Sequence, residues 1–432
     1  MKINIITLGC SKNLVDSEYL LRQFRFNGHE VFHDEHGMEA EVVILNTCGF
    51  ILDAKQESID SILFYTDLKQ QNKAGRVYVM GCLSERYRKD LAREFPEVDG
   101  FFGVWDHAKI VRAVGADYHP ELTNDRLITT PDHYAYLKIS EGCNRSCSFC
   151  AIPGIRGGQQ SRSVPDLVEE AGNLTDRGVK ELILIAQDLT NYGIDITGKK
   201  ELPGLLKKLN GIGGIEWIRM HYAYPTGFPE EVFRIMAAEP KICNYLDIPI
   251  QHVSDRILRS MKRGHTRKHL ETLLSNLRNS VEDVAIRTTV LVGYPGETEA
   301  EFNELYGFIS DFRFDRLGVF PYSHEDDTPA GRGEDTVSKS LKQERAEQIM
   351  ELQQQISLEK NQEKQGREYR VIVDREEAEY YIGRTEHDSP EVDNEVLIRK
   401  SSLLTPGSFV NVNITDAGEF DLFGEVSDQQ VG

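Results

Sequence analysis

Residues 140–150, Ser140-Glu-Gly-Cys143-Asn-Arg-Ser-Cys147-Ser-Phe-Cys150, hold three cysteines in the spacing Cys-x-x-x-Cys-x-x-Cys. Three thiolates on one turn can bind three corners of a cubane iron–sulfur cluster, whereas ferredoxin runs supply all four corners. No fourth cysteine follows nearby, so one iron would keep an open position for a substrate or cofactor. A zinc site is the alternative, but it normally needs four ligands, and the nearest histidine, His133, lies ten residues upstream of Cys143.

The same turn carries a family resemblance. Cys143, Cys147, Phe149 and Cys150 resemble the signature of the radical S-adenosylmethionine (SAM) superfamily, including the aromatic residue before the last cysteine. The resemblance implies that the open iron binds the amino and carboxylate groups of SAM. It also implies that an electron from the cluster cleaves SAM to a 5′-deoxyadenosyl radical, while the protein positions the cofactor. We expect no catalytic side chain beyond the cluster ligands, because the radical step needs none.

Length and charge limit the possible classes of protein. The chain has 432 residues and a formal net charge of −20, from 50 basic and 70 acidic side chains. The length predicts two or three domains. The charge argues against simple electrostatic capture of nucleic acid, whose affinity depends on Lys and Arg at phosphates, and it favours a basic partner.

Targeting signals are not evident in the sequence. No apolar run reaches the roughly 18–20 residues that span a bilayer, and the opening MKINIITLGC lacks the apolar core and cleavage site of a secretory signal. We therefore expect a cytoplasmic protein with no membrane contact. Disulfides are rare in that compartment, so we expect the seven cysteines to be metal ligands, reactive thiols or buried thiols.

Residues 1–114 alternate short apolar runs with helical patterns. This alternation predicts an open parallel α/β sheet with helices on its faces. The predicted strands are Ile3–Leu8, Val42–Leu45 and Val77–Met80.

Three further cysteines follow these strands. Cys10, Cys48 and Cys82 each lie just past a strand and next to a glycine. Ligands of open α/β sheets bind at the carboxyl ends of the strands, and glycine lets backbone approach a bulky ligand closely. The three cysteines should therefore converge at one edge. From position alone they could also be small buried hydrophobic residues.

The sequence around these cysteines resembles a known family. TLGCSKNLVDSE at residues 7–18, NTCGF at 46–50 and MGCLSERY at 80–87 resemble the amino-terminal module of the methylthiotransferases. The resemblance implies a second 4Fe–4S cluster, with Cys10, Cys48 and Cys82 as its ligands and one iron again open.

Residues 115–133 are rich in turn signals and are predicted to be a linker. Residues 134–336 are predicted to form the radical SAM core domain, a partial (β/α)6 barrel with its functional loops at the strand carboxyl ends. Six strand candidates alternate with helices: Tyr134–Ser140, Glu181–Ala186, Glu216–His221, Tyr245–Ile250, Ala285–Val292 and Asp315–Phe320.

Several residues near these strand ends are candidates for the SAM pocket. Gln187 follows the second strand and Arg219 lies late on the third. Gly293 and Gly296 belong to GYPGET, which resembles the superfamily loop beside adenine, and Phe149 completes the set. Any one of these residues could instead serve a structural turn or a solvated surface. Cys243 lies away from both sets of cysteines, and we expect it to be a buried thiol.

Two further segments complete the chain. Residues 337–365 are predicted to form one connecting helix. Residues 366–432 show several short strands, which predict a small all-β barrel of the OB type and resemble a TRAM domain. This segment has six basic and fifteen acidic side chains, a net charge of −9. It should repel a phosphate backbone and attract a basic protein, although acidic residues could also serve solubility alone.

The family resemblance covers nearly the whole chain and implies a reaction. Methylthiotransferases modify either an adenosine of transfer RNA or an aspartate in protein twelve of the small ribosomal subunit. The acidic terminal barrel and the LGCSKNLVDSE opening favour the ribosomal protein, with a methylthio group added to the aspartate β-carbon. The expected partners are that basic protein, alone or in the ribosome, and a flavodoxin-like or ferredoxin-like reductant. The alternatives are a transfer-RNA methylthiotransferase and a non-catalytic iron–sulfur protein of the ribosome.

Overall fold

Two parallel sheets and one closed barrel follow one another along the chain, which confirms the fold class that the sequence predicts. The structure, a computed structural model, describes residues 1–325, 327–400 and 403–427. Residues 428–432 of the predicted terminal domain lie outside this range. No helix in the described part of the chain is long and apolar enough to cross a membrane.

The first unit is a five-stranded parallel sheet in the order β2-β1-β3-β4-β5. Apolar side chains on its two faces pack under helices in two separate clusters, which is why its central strands are continuous apolar runs. The half-exposed edge strand β2 lacks such a run and was not predicted. The elements are β1 Lys2–Thr7, α1 Ser11–Phe26, β2 Glu30–His33, β3 Ala40–Thr47, α2 Leu52–Gln70, β4 Ala74–Gly81, α3 Cys82–Glu94, β5 Gly100–Phe101 and α4 His107–Val114, followed by a 3-10 helix at Pro120–Leu122.

The second unit is a six-stranded parallel sheet in the order β13-β12-β11-β10-β9-β6, a partial barrel whose edge strands are β6 and β13. Its elements are β6 Tyr134–Lys138, β7 Ser140–Glu141, α5 Ile152–Arg156, β8 Gln160–Ser161, α6 Val164–Thr175, β9 Glu181–Ile185, a 3-10 helix Leu189–Asn191, α7 Ile194–Thr197, α8 Leu202–Asn210, β10 Trp217–Met220, α9 Glu231–Ala238, β11 Ile242–Asp247, α10 Asp255–Ser260, α11 Arg267–Ser280, β12 Ala285–Val292, α12 Glu299–Phe312 and β13 Arg316–Pro321.

Strand β11 differs from its prediction. It begins at Ile242 and ends at Asp247, three residues earlier at each end than expected. Pro249 lacks a backbone donor and is disfavoured inside a central strand, so the apolar run that follows Asp247 leaves the sheet. Cys243 therefore lies within β11, where it is wholly buried as expected.

The third unit is a closed barrel in the order β14-β15-β16-β18-β17. The long helix α13 precedes it, packs against β13, and binds the barrel through Asn361, whose Nδ2 donates to the carbonyl of Gly418 at 3.0 Å. The elements are α13 Lys339–Gln362, β14 Glu368–Glu376, β15 Tyr380–Thr385, β16 Glu395–Arg399, β17 Phe409–Ala417 and β18 Asp421–Val426.

Residues 115–133 are packed between the first two units. The Arg126 guanidinium is 1% exposed, forms an ion pair with Glu18 of α1, and binds Glu170 of α6 at 2.8 Å. The spacing of the first two units therefore depends on direct contacts between α1 and the partial barrel, in which Arg126 takes part.

The terminal barrel closes the amino-terminal end of the partial barrel. Trp217, at the start of β10, packs edge-on against Phe409, and Lys180 donates to the carbonyl of Gly407 at 2.6 Å. Glu181, the first residue of β9, pairs with Arg384 of β15 at 2.8 Å. The terminal barrel thus forms the base of the central unit.

A loop from the terminal barrel enters the partial barrel. We call residues 386–394, between β15 and β16, the plug loop. Its acidic and hydroxyl groups bind side chains of the strands: Asp388 pairs with Arg316 of β13, Glu391 accepts from Tyr134 and Tyr136 of β6, Asp393 accepts from Tyr245 of β11 and pairs with Arg287 of β12, and Ser389 bonds to His221 after β10. Because these partners include both edge strands, the plug loop fills the barrel interior from its amino-terminal end.

The plug loop explains part of the acidity of the terminal domain. Asp388 is fully buried, and Arg316 is 6% exposed. Burial alone would raise the pKa of Asp388, but the charges of Arg316 and Lys364 outweigh it and hold the pKa well below its usual range. This carboxylate is therefore charged and balanced inside the protein, and it does not belong to the acidic surface that the sequence analysis assumed.

Asp388→Asn tests the plug. Removing one partner of a buried ion pair costs about 3–5 kcal/mol because the other charge is left uncompensated. We expect a lower midpoint of urea unfolding for the terminal barrel, followed by near-ultraviolet circular dichroism. The control is Glu377→Gln, which removes an exposed partner of Arg375 and should cost at most about 1 kcal/mol.

The difference in the free energy of unfolding between wild type and Asp388→Asn should depend on pH in one direction. The folded pKa of Asp388 lies below its unfolded value, so its stabilisation is present above about pH 4 and is lost as the pH falls towards the folded pKa. The difference in the free energy of unfolding between wild type and Asp388→Asn should therefore decrease below about pH 4. A stability difference that increases in acid, or no difference at pH 7, would contradict the role of Asp388.

Candidate active site

Cys10, Cys48 and Cys82 meet at the carboxyl ends of β1, β3 and β4, which are neighbours in the first sheet. Two glycines show how closely the chain segments approach. A Cβ on Gly9 would lie 2.9 Å from the Cys48 sulfur, and a Cβ on Gly49 would lie 2.6 Å from Cα of Leu83, the residue after Cys82. Only glycine permits these approaches, so the convergence expected from the sequence is present.

The electrostatics of this first thiol set favour anionic sulfur at Cys10 only, because burial raises the pKa of Cys48 and of Cys82. Burial would raise the pKa of Cys10, but the charges of Lys12 and Arg156 outweigh it and lower the pKa below its usual value. Burial and the charge of Cys10 raise the pKa of Cys48 to about 12. Arg156 also donates from Nε to the Cys82 sulfur at 3.3 Å. The set thus has one thiol prone to ionise and a cation supplied by the central unit.

Cys143, Cys147 and Cys150 form the second thiol set in the loop after β7. Gly142, at φ +76°, lets this loop press on the carbonyl of Gly158, which a Cβ would approach to 2.3 Å. Burial, opposed in part by a hydrogen bond from the Arg145 amide, raises the pKa of Cys143 to about 11.

One cation and one hydroxyl contact the Cys147 sulfur. It accepts from Arg263 Nη1 at 3.4 Å and lies 3.5 Å from the Tyr224 hydroxyl. Burial raises the pKa of the neighbouring Cys150 to about 12, and the charges of Cys147 and Cys143 add to this effect. The three thiols of the second set therefore act on one another within a buried loop lined by donors.

A buried charge network joins the two thiol sets. Lys138 of β6 pairs with Asp16 of α1 and with Glu141 at 2.7 Å, and Arg156 pairs with Glu141 at 2.8 Å and with Asp16 at 3.3 Å. All four residues are at most 8% exposed. Glu141 precedes Cys143 by two residues, while Arg156 reaches Cys82. The network therefore runs from the Cys82 sulfur to the chain segment that carries Cys143.

The charges of this network balance. Burial alone would raise the pKa of Glu141, but Lys138 and Arg156 outweigh it and hold the pKa well below its usual range. Sequence reasoning missed these residues, since their pairing depends on tertiary contacts between segments far apart in the chain. One signal was available: Lys138 interrupts the otherwise apolar strand AYLKI, where an unpaired charge would be costly.

The residues predicted for the SAM pocket are only partly brought together. Phe149 packs against Tyr294 and its neighbours in an apolar cluster below the second thiol set. Gln187 donates to Glu141, and its Oε1 is buried with no partner among the described residues. Phe149 belongs to the Cys143 loop, and Gln187 lies beside the start of that loop.

The two glycines of the GYPGET loop have positive φ angles, +69° at Gly293 and +78° at Gly296. A Cβ on Gly293 would lie 2.3 Å from the Lys342 side chain of α13. Packing of α13 is therefore one reason for glycine at this position. A role of this loop beside adenine stays a prediction.

Arg219 does not lie where the sequence analysis placed it. Its guanidinium is fully buried, binds Glu181 at 2.7 Å, and donates to the carbonyl of Glu386 in the plug loop at 2.6 Å. Glu181 begins β9, so Arg219 points to the amino-terminal end of the barrel, opposite to the Cys143 loop. The prediction that Arg219 lines the SAM pocket is wrong, because its long side chain turns back along the strands.

No three His, Cys, Asp or Glu side chains in the described ranges are grouped to hold a single metal ion. A cubane cluster makes no such demand, because each thiolate binds a different iron. The thiols of each set are near enough to shift one another's pKa and are approached by N–H donors. This is the donor environment that an anionic iron–sulfur cluster requires.

The partial barrel and the three-thiol loop define a radical SAM enzyme. Residues 137–309 match the radical SAM superfamily, residues 366–426 match the TRAM domain, and residues 2–103 match an uncharacterized protein family, UPF0004. The fold is similar to that of the radical S-adenosylmethionine methyltransferase TsrM from Kitasatospora setae, with a TM-score of 0.58 at 14% identity over 76% of this chain and 75% of that chain. Membership of the superfamily implies a 4Fe–4S cluster and SAM as cofactors.

Relatives along the whole chain narrow the class. The ribosomal protein uS12 methylthiotransferase RimO of Flavobacterium johnsoniae is 55% identical over 426 residues, which cover 98% of both chains. The protein of the same name from Parabacteroides distasonis is 50% identical, over 98% of this chain and 99% of the relative. The chain therefore belongs to the RimO family of radical SAM methylthiotransferases.

Arg156→Met tests the network between the thiol sets. The substitution leaves Asp16 and Glu141 with Lys138 alone, a loss that costs about 3–5 kcal/mol for a buried pair. We expect the first unit to loosen from the barrel, so that amide exchange in α1 and residues 115–133 becomes about 100-fold faster or more. Hydrogen exchange followed by mass spectrometry measures this change.

The matched control is Arg93→Met. Arg93 lies in α3 with its side chain 71% exposed and pairs with Asp90 at the surface, so its loss should leave exchange unchanged. Equal exchange in wild type and Arg156→Met would show that the network does not hold the two units together.

Proposed function

We propose that this chain transfers a methylthio group to the β-carbon of an aspartate in ribosomal protein uS12. The main support is its identity of 50–55% along nearly its whole length to relatives of that named activity. The second support is the arrangement of two thiol sets on either side of one buried charge network. We assign the reaction to the cytoplasm, where ribosomal proteins are made.

We assign a 4Fe–4S cluster to each thiol set. Cys143, Cys147 and Cys150 would hold the cluster that binds SAM, and Cys10, Cys48 and Cys82 would hold the second. Arg156, Arg263 and the Arg145 amide donate to these sulfurs. Such hydrogen bonds and nearby charges tune the potential of a bound cluster. When bound, the clusters and SAM supply the radical chemistry that functionalises an unactivated carbon.

The side chains of the protein hold the segments around the site in place. The plug loop closes the barrel below the site, and the network of Asp16, Lys138, Glu141 and Arg156 closes the interface beside it. We propose that SAM lies between Phe149, Gln187 and the loop of Gly293 and Gly296. The buried, unpaired Oε1 of Gln187 offers an acceptor for an amino or hydroxyl group of that ligand.

We infer that acidic residues of the terminal barrel attract the basic ribosomal protein. Some of the fifteen acidic side chains of residues 366–432 belong to the plug loop and bind inside the barrel. Others remain exposed, among them Glu368, Glu376 and Asp416. Opposite charge speeds encounter more than it adds affinity. A flavodoxin-like or ferredoxin-like protein is the expected reductant.

Iron content tests the second cluster. Reconstituted wild type should bind about eight iron atoms per chain, since two 4Fe–4S clusters are assigned. The variant with Cys10, Cys48 and Cys82 replaced by alanine should bind about four. Cys243→Ala is the control, because this thiol is buried in β11 away from both sets and its loss should leave iron content unchanged. Wild type with about four irons would contradict a second cluster.

Product mass tests the substrate. Reconstituted enzyme, SAM and dithionite would be incubated without oxygen, with uS12 and transfer RNA offered in parallel. We expect the aspartate peptide of uS12 to gain the mass of CH2S, because one hydrogen is replaced by SCH3. A gain on a nucleoside of transfer RNA would contradict the proposed substrate. Cleavage of SAM with no modified protein would also contradict it.

A further inference from the structure

Lys12 is a buried cation with no carboxylate partner among the residues that the structure describes. It lies in the first turn of α1, two residues after Cys10, and is 7% exposed. Its Nζ lies 3.2 Å from the centroid of the Tyr222 ring. The nearby Lys138 is equally buried but has two carboxylates, Asp16 and Glu141. Lys12 therefore has no carboxylate to balance its charge, whereas Lys138 has two.

Lys12 lies between Cys10 of the first thiol set and Tyr222 at the carboxyl edge of the barrel, and we call this position the gap. Tyr222 follows β10 at that edge with a φ of +65°, and its amide donates to Asp247 at 2.9 Å. Non-glycine residues in this strained region persist where the surroundings hold them, often at ligand sites. The ring under Lys12 is thus fixed, and the ammonium lies on the barrel side of the gap.

Burying an ammonium requires compensation. The attraction of a cation to a tyrosine ring is smaller than the cost of removing the cation from water. The Cys10 sulfur supplies part of this compensation, since the charge of Lys12 helps to lower the Cys10 pKa, but Lys12 forms no ion pair with a carboxylate of the described residues. The Lys12 ammonium instead contacts Tyr222. An anionic ligand that enters the gap would complete the compensation.

We propose that Lys12 binds the side-chain carboxylate of the substrate aspartate, an inference that rests on the proposed function. The carboxylate is bonded to the carbon that reacts, so a cation that holds it places that carbon between the two thiol sets. Lys12 would also set specificity, since an asparagine side chain lacks the charge that would pair with the ammonium. A second source of the same chemistry is the carboxylate of SAM.

The experiment compares two peptides of uS12, one with the target aspartate and one with asparagine in its place. The enzymes are reconstituted wild type, Lys12→Met, Lys12→Arg and the control Lys73→Met. Lys73 is an exposed lysine of the same unit, so its loss changes net charge equally. Iron content checks that each variant is folded. The readouts are kcat/KM for each peptide, peptide affinity by fluorescence anisotropy without reductant, and KM for SAM in peptide-free SAM cleavage.

We expect wild type and Lys73→Met to prefer the aspartate peptide. In Lys12→Met the preference for aspartate over asparagine should fall by about 100-fold, as loss of a buried charge pair predicts, and affinity for the aspartate peptide should fall with it. Lys12→Arg should keep much of the preference. KM for SAM should not change.

Two results would overturn the role of Lys12. One is an unchanged aspartate preference in Lys12→Met. The other is a raised KM for SAM with that preference intact, which would assign Lys12 to the carboxylate of SAM. Wild type that modifies neither peptide would instead refute the proposed function, and the inference would fall with it. Failure of the role of Lys12 is thus distinguishable from failure of the proposed function.

Discussion

Two carboxylates that share two cations hold the active site together. Asp16 of the first unit and Glu141 of the central unit both pair with Lys138 and Arg156, out of contact with water. Removing Asp16 would leave Lys138 and Arg156 with Glu141 as their one shared carboxylate, and loss of a partner from a buried pair costs far more than loss of a surface pair. The distance between the two thiol sets is therefore set by charge balance as well as by apolar packing.

Buried polar groups are also paired between units at the amino-terminal end of the barrel. Arg316 and Tyr245 find their partners, Asp388 and Asp393, on the plug loop. The central unit is thus polar inside at both ends, with charges supplied by the two neighbouring units. A partial barrel has an open interior, and here a loop of the third unit fills it where a closed barrel would use its own side chains.

Fold class and cysteine sets were predictable because they rest on local signals. Apolar runs mark the strands, and position at a strand's carboxyl end marks the Cys10 set. The network around Arg156 and the plug loop were not predictable. The first depends on pairing across distant segments, and the second, EHDSPEVDN, has the composition of a solvated turn. Arg219 was misplaced because strand position does not fix which way a long side chain bends.

The plug loop also orders events in time. Residues 386–394 are synthesised near the end of the chain, yet they complete the interior of a barrel whose first strand begins at Tyr134. Until this segment is made, Arg316 and Tyr245 lack Asp388 and Asp393, so the central unit reaches its final packing only with the carboxyl-terminal segment. Completion of the barrel interior therefore comes at the end of synthesis of the chain.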